Sequence, residues 1–197
     1  MLGETFVLRP FDRLHAPTVA GWVRDAAELF WLAPSTEPPL TPRKVVAWTR
    51  PQDRPLLLFA GGQVEPCGYG ELNPLKGSTS QLWVGHVVVA PAVRGHGIGR
   101  RLTRMLAETA FAEPRIERLV MVVFPQNHAA LRCYRGSGFR TTAREHHRFA
   151  TRPQTHLMLR LELDRQSFAA CLSGPAAQEL RADRPIPPPA ENPPGSD

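Results

Sequence analysis

The chain has 197 residues, 42% of them hydrophobic, enough for one substantial core and too little for two comfortable ones. Its net charge of +6 rests almost wholly on arginine, since Lys44 and Lys76 are the only lysines, and the bases are spread out rather than gathered into an arm or an aromatic-interleaved stretch, so no nucleic-acid partner is expected. Cys67, Cys133 and Cys171 form neither a disulfide framework nor a zinc pattern, and no basic leader or bilayer-length apolar run is visible, so free thiols, a cytoplasmic location, no membrane contact and no metal are expected.

Residues 5–8 read as a first strand, and the apolar spacing of residues 14–30 is helical. Thr41 and Pro42 open a short helix as cap and first residue. Residues 56–60 form a buried-strand pattern that stops at Gly61 and Gly62, and residues 64–72 and 81–89 read as neighbouring strands joined by a turn. After Gly99, Leu102, Met105, Leu106 and Thr109 mark one helical face. Residues 116–124 read as a strand, a nearly unbroken apolar run over 119–124, residues 127–135 as a short helix ending at Gly136, and two further strands follow near 139–147 and 154–163. From Asp164 the composition changes, with seven of the 21 prolines in residues 164–197, so a folded domain over 1–163 and a disordered tail are expected.

The most informative segment runs from Val87 to Leu102. An apolar strand ends at Pro91, Gly95, Gly97 and Gly99 make a turn, and an amphipathic helix starts at once. Glycine lets a ligand approach backbone N–H groups that a Cβ would shield. The positive end of the new helix then makes an anion site, to which Arg94, Arg100 or Arg101 can add charge-assisted bonds. A Walker loop would need Gly-Lys-Ser/Thr, which Gly99-Arg100-Arg101 does not supply, and glycines at 95, 97 and 99 do not fit G-x-G-x-x-G.

Arg94-x-x-Gly97-x-Gly99 resembles the Q/R-x-x-G-x-G/A pyrophosphate motif of the GNAT acetyltransferases. Residues 127–139 resemble the same family's N-x-x-A-x-x-x-Y-x-x-x-G-F cofactor segment, through Asn127, Ala130, Tyr134, Gly138 and Phe139. The two motifs stand in the family's order with a strand between them. The resemblance implies an α/β (α+β) fold, with a mixed central sheet of about six to seven strands flanked by about four helices. It implies acetyl-CoA as acyl donor, without a metal, and a primary amine of a small molecule or peptide as acceptor, in a monomer or homodimer. A non-catalytic module that binds acyl-CoA as a sensor is the alternative.

The resemblance also assigns residues. The backbones of Val87 and Val89, flanking Val88, would pair with the pantetheine amides like an added strand. The N–H groups of Arg94, Gly95, His96, Gly97, Ile98 and Gly99 would hold the pyrophosphate, and Asn127 would cap its helix and reach the cofactor arm. Tyr134 stands at the family's general-acid position, against the alternative of a packing residue. For the base, Glu71 is a candidate at a strand end, where it reads equally as solvated surface. His86 is the other, and its face depends on whether the strand carries a bulge, a sheet-face packing role being the plainer reading. Cys133 has no visible base partner. The aromatic and proline-rich stretch from Trp22 to Pro39 would wall the acceptor or fill the core.

Overall fold

The computed structural model describes residues 5–173. The chain opens with strand β1 (Phe6–Pro10), a 3-10 turn at Arg13–His15, and helices α1 (Ala16–Gly21), α2 (Ala26–Leu32) and α3 (Pro42–Ala47). Strands β2 (Arg54–Ala60), β3 (Gly68–Pro74) and β4 (Gln81–Val89) follow, then α4 (Ile98–Phe111), β5 (Arg118–Val123) and α5 (His128–Gly136). A long hairpin, β6 (Arg140–Phe149) and β7 (Arg152–Asp164), leads into α6 (Arg165–Ser173). All seven strands form one mixed sheet in the order β1-β2-β3-β4-β5-β7-β6, in which only β4 and β5 are parallel neighbours. The mixed sheet is as expected, with six α-helices in place of about four.

The alternation of β2 explains the layering. Leu58 faces the core under α4, with Leu72, Val84, Leu102, Leu106 and Leu119. Leu57 and Phe59 face the opposite side, where α1 and α3 contribute Val19 and Val45 and β3 contributes Tyr69. A fully buried leucine of this kind stabilises by about 2 kcal/mol, so the sheet is held from both faces.

Several elements differ from the sequence reading for identifiable reasons. The helical spacing over 14–30 is split, because Asp25 accepts from the N–H of Glu28 at 2.8 Å and caps a second helix. β3 begins at Gly68 rather than at residue 64, since Val64 is exposed and Pro66 cannot join the ladder. The buried face of α4 is rotated from the expected one: Leu102, Thr103, Leu106, Ala107 and Ala110 are buried, and Thr109 is exposed. Thr103 enters the core by donating its hydroxyl hydrogen to the carbonyl of Gly99 at 2.8 Å.

The boundary expected at residue 163 falls too early, because α6 packs on the domain. Asp164 caps it by accepting from the N–H of Ser167 at 2.7 Å, and Phe168 is buried with its ring 5.3 Å from that of Phe111. Arg165 donates to the carbonyls of Phe111 at 2.6 Å and Glu113 and Ile116 at 2.7 Å, so it caps the C-terminal end of α4 and the connection to β5. The remainder of the expected tail, residues 174–197, lies outside the described residues.

One irregularity of the sheet positions everything that follows. β4 and β5 are paired only at Gln81–Trp83 with Arg118–Val120, and beyond Trp83 they diverge. An unpaired strand edge inside the sheet is the result.

Candidate functional site

The divergence opens a cleft of about 450 Å³ between Val84, His86–Val89 and Met121–Val123, closed above by Val23, Arg24, Glu28, Trp31 and Leu32. A second cavity of about 580 Å³ lies against α4 and α5, lined by Gly95, Gly97, Gly99, Arg100, Arg132 and Cys133. Val87, Val89, Arg94, Ala129, Ala130 and Tyr134 line both, so the two spaces meet along the C-terminal half of β4.

The second cavity is built by backbone. Gly95 and Gly97 hold φ of 81° and 80°, and Gly97 is the left-handed cap of α4. A residue with a Cβ pays a strain of about 1–2 kcal/mol there. No side chain caps α4, so its first-turn N–H groups are left for a ligand. A Cβ on Gly99 would stand 3.3 Å from Sγ of Cys133, so this glycine also permits the close approach of α4 and α5. Arg100 lies across Gly136, where a Cβ would come within 2.7 Å of its guanidinium, and Arg101 is drawn off to the ring of Phe6 at 5.1 Å. The turn, its open amides and Arg100 fit a pyrophosphate.

One expected contact differs. Although Arg94 borders this anion site, its guanidinium donates to the carbonyls of Val89 at 3.0 Å and Trp22 at 2.7 Å and to Glu28 at 2.7 Å. It ties the end of β4 to α1 and α2. Ile98 sends its side chain into the core, and Nδ1 of His96 lies 3.0 Å from the carbonyl of Arg94, which leaves only their backbones for a phosphate. Val88 packs into the core beneath α1 and α3, while Val87 and Val89 pack on the α4 side.

Asn127 caps α5 as expected, accepting from the N–H of Ala130 at 3.1 Å, and lines the cleft. One turn after Ala130, Tyr134 sits where the two cavities join. Burial, with a smaller push from Cys133, raises its phenol above the ordinary value, so it holds its proton at neutral pH. Burial likewise raises the Cys133 thiol, whose Sγ lies 3.6 Å from Thr103 Oγ1, and a protonated thiol is a poor nucleophile.

Glu71 is neither at the strand end nor on the surface. It is fully buried inside β3, and Tyr69 and Asn73 donate to its two oxygens at 2.6 and 2.8 Å. Nδ1 of His86 lies 2.9 Å from Oε1, an ion-pair distance with off-line hydrogen-bond geometry. Burial pushes the Glu71 carboxyl up, but contacts from His86, Tyr69 and Asn73 outweigh it and leave the group below its ordinary value. Burial and the Glu71 charge push the Tyr69 phenol upward, so tyrosine is the donor of that pair. A carboxylate so enclosed does not itself reach a ligand in the cleft.

His86 does reach it, because β4 carries the bulge on which its direction depended. Tyr69 pairs with Val88 but Glu71 with Gly85, so β4 has one extra residue, and that residue is His86 with φ of 47°. The shift turns His86 to the Glu71 side, where its ring stacks on Trp48 at 4.3 Å and 10°. It borders the cleft and a third cavity lined by Thr36, Glu37, Lys44 and Trp48.

On the α2 side of the cleft, Glu28 is gripped by Arg24 at 2.6 Å and Arg94 at 2.7 Å. Burial raises its carboxyl, but the two arginines prevail and hold it at about 2. Trp48 and the Glu28–Arg94 tie were not singled out in the sequence; a tryptophan at a helix end and an i,i+4 Arg24–Glu28 pair are their only local marks. Among the described residues, no group of three His, Cys, Asp or Glu side chains is placed to hold a metal, and no helix is long and apolar enough to cross a membrane.

Residues 19–139 match the model of the acetyltransferase (GNAT) family. Over 85 residues the chain is 28% identical to an aminoglycoside N(6')-acetyltransferase type 1 of Klebsiella pneumoniae, a stretch of 38% of this chain and only 42% of that relative's length. The fold is similar to that of a spermidine N-acetyltransferase from Vibrio cholerae in complex with CoA and spermine, with a TM-score of 0.69 at 14% identity over 83% of this chain and 98% of the other. An aminoglycoside acetyltransferase in complex with coenzyme A gives a TM-score of 0.65 at 21% identity over 84% and 98% of the two chains. At these identities the structural likeness is one of fold.

Proposed function

Because the chain belongs to the acetyltransferase (GNAT) family, we propose that it transfers the acetyl group of acetyl-CoA to a primary amine by direct attack. The observation that carries this is the junction of the two cavities at Tyr134, one built as an anion cradle and the other opening along an unpaired strand edge. Acetyl-CoA supplies the activated acetyl group: nitrogen bonds to its carbonyl carbon as the carbon–sulfur bond breaks, one proton leaves nitrogen for solvent and another replaces the one sulfur receives.

The chain's own groups fit the remaining tasks. The amides of the Gly95–Gly99 turn and Arg100 bind pyrophosphate, and the edge of β4 that β5 leaves unpaired, at Val87 and Val89, receives an extended amide-bearing arm. The raised phenol of Tyr134 serves as proton donor toward the sulfur, whose ordinary thiol value near ~8.5 makes an acid useful. A proton donor and a partly exposed imidazole bordering one cleft favour turnover over a binding-only module. Three free cysteines support a reducing compartment such as the cytoplasm.

The acceptor wall supports a narrower reading. Glu28 is the sole carboxylate among the described residues lining the first cavity, and two arginines already neutralise it. Trp31, Leu32, Val23 and Met121 supply apolar surface. That favours a singly charged amine on an apolar body, a small molecule or a peptide end, over a polycation. Titration calorimetry with acetyl-CoA, and NAD and ATP as controls, tests the cofactor half. Micromolar binding of acetyl-CoA alone is expected, followed by thiol release on an amine panel with aralkylamines ahead of spermidine. No binding would end the enzyme reading, and spermidine ranking first would end the acceptor reading.

A further inference from the structure

Resting on the acetyl-transfer reading, we propose that His86 is the base that takes the proton of the acceptor amine, and that Glu71 is the positioning residue that fixes its ring. Three independent features converge on this histidine. It alone among the described non-glycine residues has a positive φ, 47°, at the extra residue of a bulged strand. Left-handed backbone at such a residue is strained and persists where surrounding structure enforces it. What enforces it is a clamp: Trp48 stacks on one face of the ring at 4.3 Å, and Nδ1 stands 2.9 Å from a carboxylate with no exposure of its own. The clamp leaves 24% of the side chain exposed, toward the two cavities that His86 borders.

The surroundings of Glu71 are arranged for holding rather than for reacting. Tyr69 and Asn73 already donate to its oxygens, and Gly85 gives it room, since a Cβ there would lie 3.3 Å from Oε2. The carboxylate is kept charged and fixed, and the imidazole it faces is oriented with Nδ1 inward. Nε2 is then the ring nitrogen left for the cleft. An alkylammonium gives a proton to Nε2 and becomes the free amine that attacks, and the ring later gives that proton to solvent. Nothing is oxidised or reduced, and the histidine returns to its starting form each cycle. Tyr134, bordering the same cleft, serves the other proton.

The test exploits the backbone. His86→Gly relieves the positive φ and leaves an imidazole-sized space between Trp48 and Glu71. We expect kcat/KM to fall roughly 10²-fold or more with acetyl-CoA affinity unchanged, and added imidazole to restore turnover in a saturable way. In the double variant His86→Gly with Glu71→Gln, imidazole should no longer rescue, which a merely structural glutamate would not cause. His86→Asn, which tolerates the same backbone, should be slow and unresponsive. Turnover in His86→Gly equal to that of the unaltered protein overturns the proposal. So does a loss that imidazole cannot restore while acetyl-CoA still binds, which would make His86 a prop of the bulge. Failure of the unaltered protein to bind acetyl-CoA would remove the acetyl-transfer reading itself, and this inference with it.

Discussion

The two sides of the cleft are built from different materials. The α4–α5 side is a backbone structure: two left-handed glycines, an uncapped helix start and a helix crossing close enough that Gly99 nearly touches Cys133. The α1–α3 side is a side-chain structure, in which Arg94 grips Glu28 and Trp48 clamps His86. Backbone geometry binds what every member of a ligand class shares, and it tolerates change at most neighbouring side chains. Side-chain geometry can be altered one residue at a time, so on the proposed reading acceptor preference belongs to the second side.

The contrast is broken most severely by Gly97→Glu, which brings strain and negative charge into the anion cradle. Acetyl-CoA binding should fall below detection by calorimetry while the circular dichroism spectrum is kept; Gly97→Ala, which adds the strain alone, should lose far less. Tyr134→Phe probes the seam between the sides. It should lower kcat by roughly 10²-fold and leave the dissociation constant of acetyl-CoA unchanged, whereas equal kinetics would return the residue to packing.

Phe168→Ala removes the brace behind α4. A stability loss of about 3 kcal/mol by urea unfolding, with kcat/KM nearly unaltered at low temperature, is expected. The smallest effect belongs to the acceptor wall. Glu28 is held at about 2 against an ordinary 4.5, so its contribution is complete above pH 4.5 and is lost as pH falls toward 2. Between those values the unaltered protein should lose of the order of 1 kcal/mol more than Glu28→Gln, read from thermal midpoints. At neutral pH the same variant should change the KM for the amine and spare acetyl-CoA affinity.

The material difference also decides what could be read from residues alone. The cradle comes from a run between 87 and 99 and a second between 127 and 139, so its order and its glycines were visible, as was the Asn127 cap. The acceptor side depends on partners distant in sequence: Arg94 with Glu28 is 66 residues apart, and nothing local in Arg94 says that it bonds protein rather than phosphate. Glu71 looked like a strand-end carboxylate because its burial is set by Tyr69, Asn73 and His86 together, which no single position announces. α6 does carry local marks: Asp164 before Ser167, and Phe168 four residues before Leu172, are a cap and an apolar face, masked by the prolines farther on.

A bulge acts on a strand as an inserted letter acts on a reading frame. Up to Gly85, β4 is written so that Leu82 and Val84 enter the α4 core. After His86, the same strand is written in the other phase, so that Val87 returns to the α4 side and Val88 goes beneath α1 and α3. The extra letter is absorbed at a single position, so both halves keep the β3 partners they have. Deleting residue 86 would put β4 back into plain alternation, with Val87 and Val89 still on the α4 side and Val88 still beneath α1 and α3. What would go is the one ring the bulge turns toward Glu71, so the inserted residue can be lost without disturbing the sheet on either side of it.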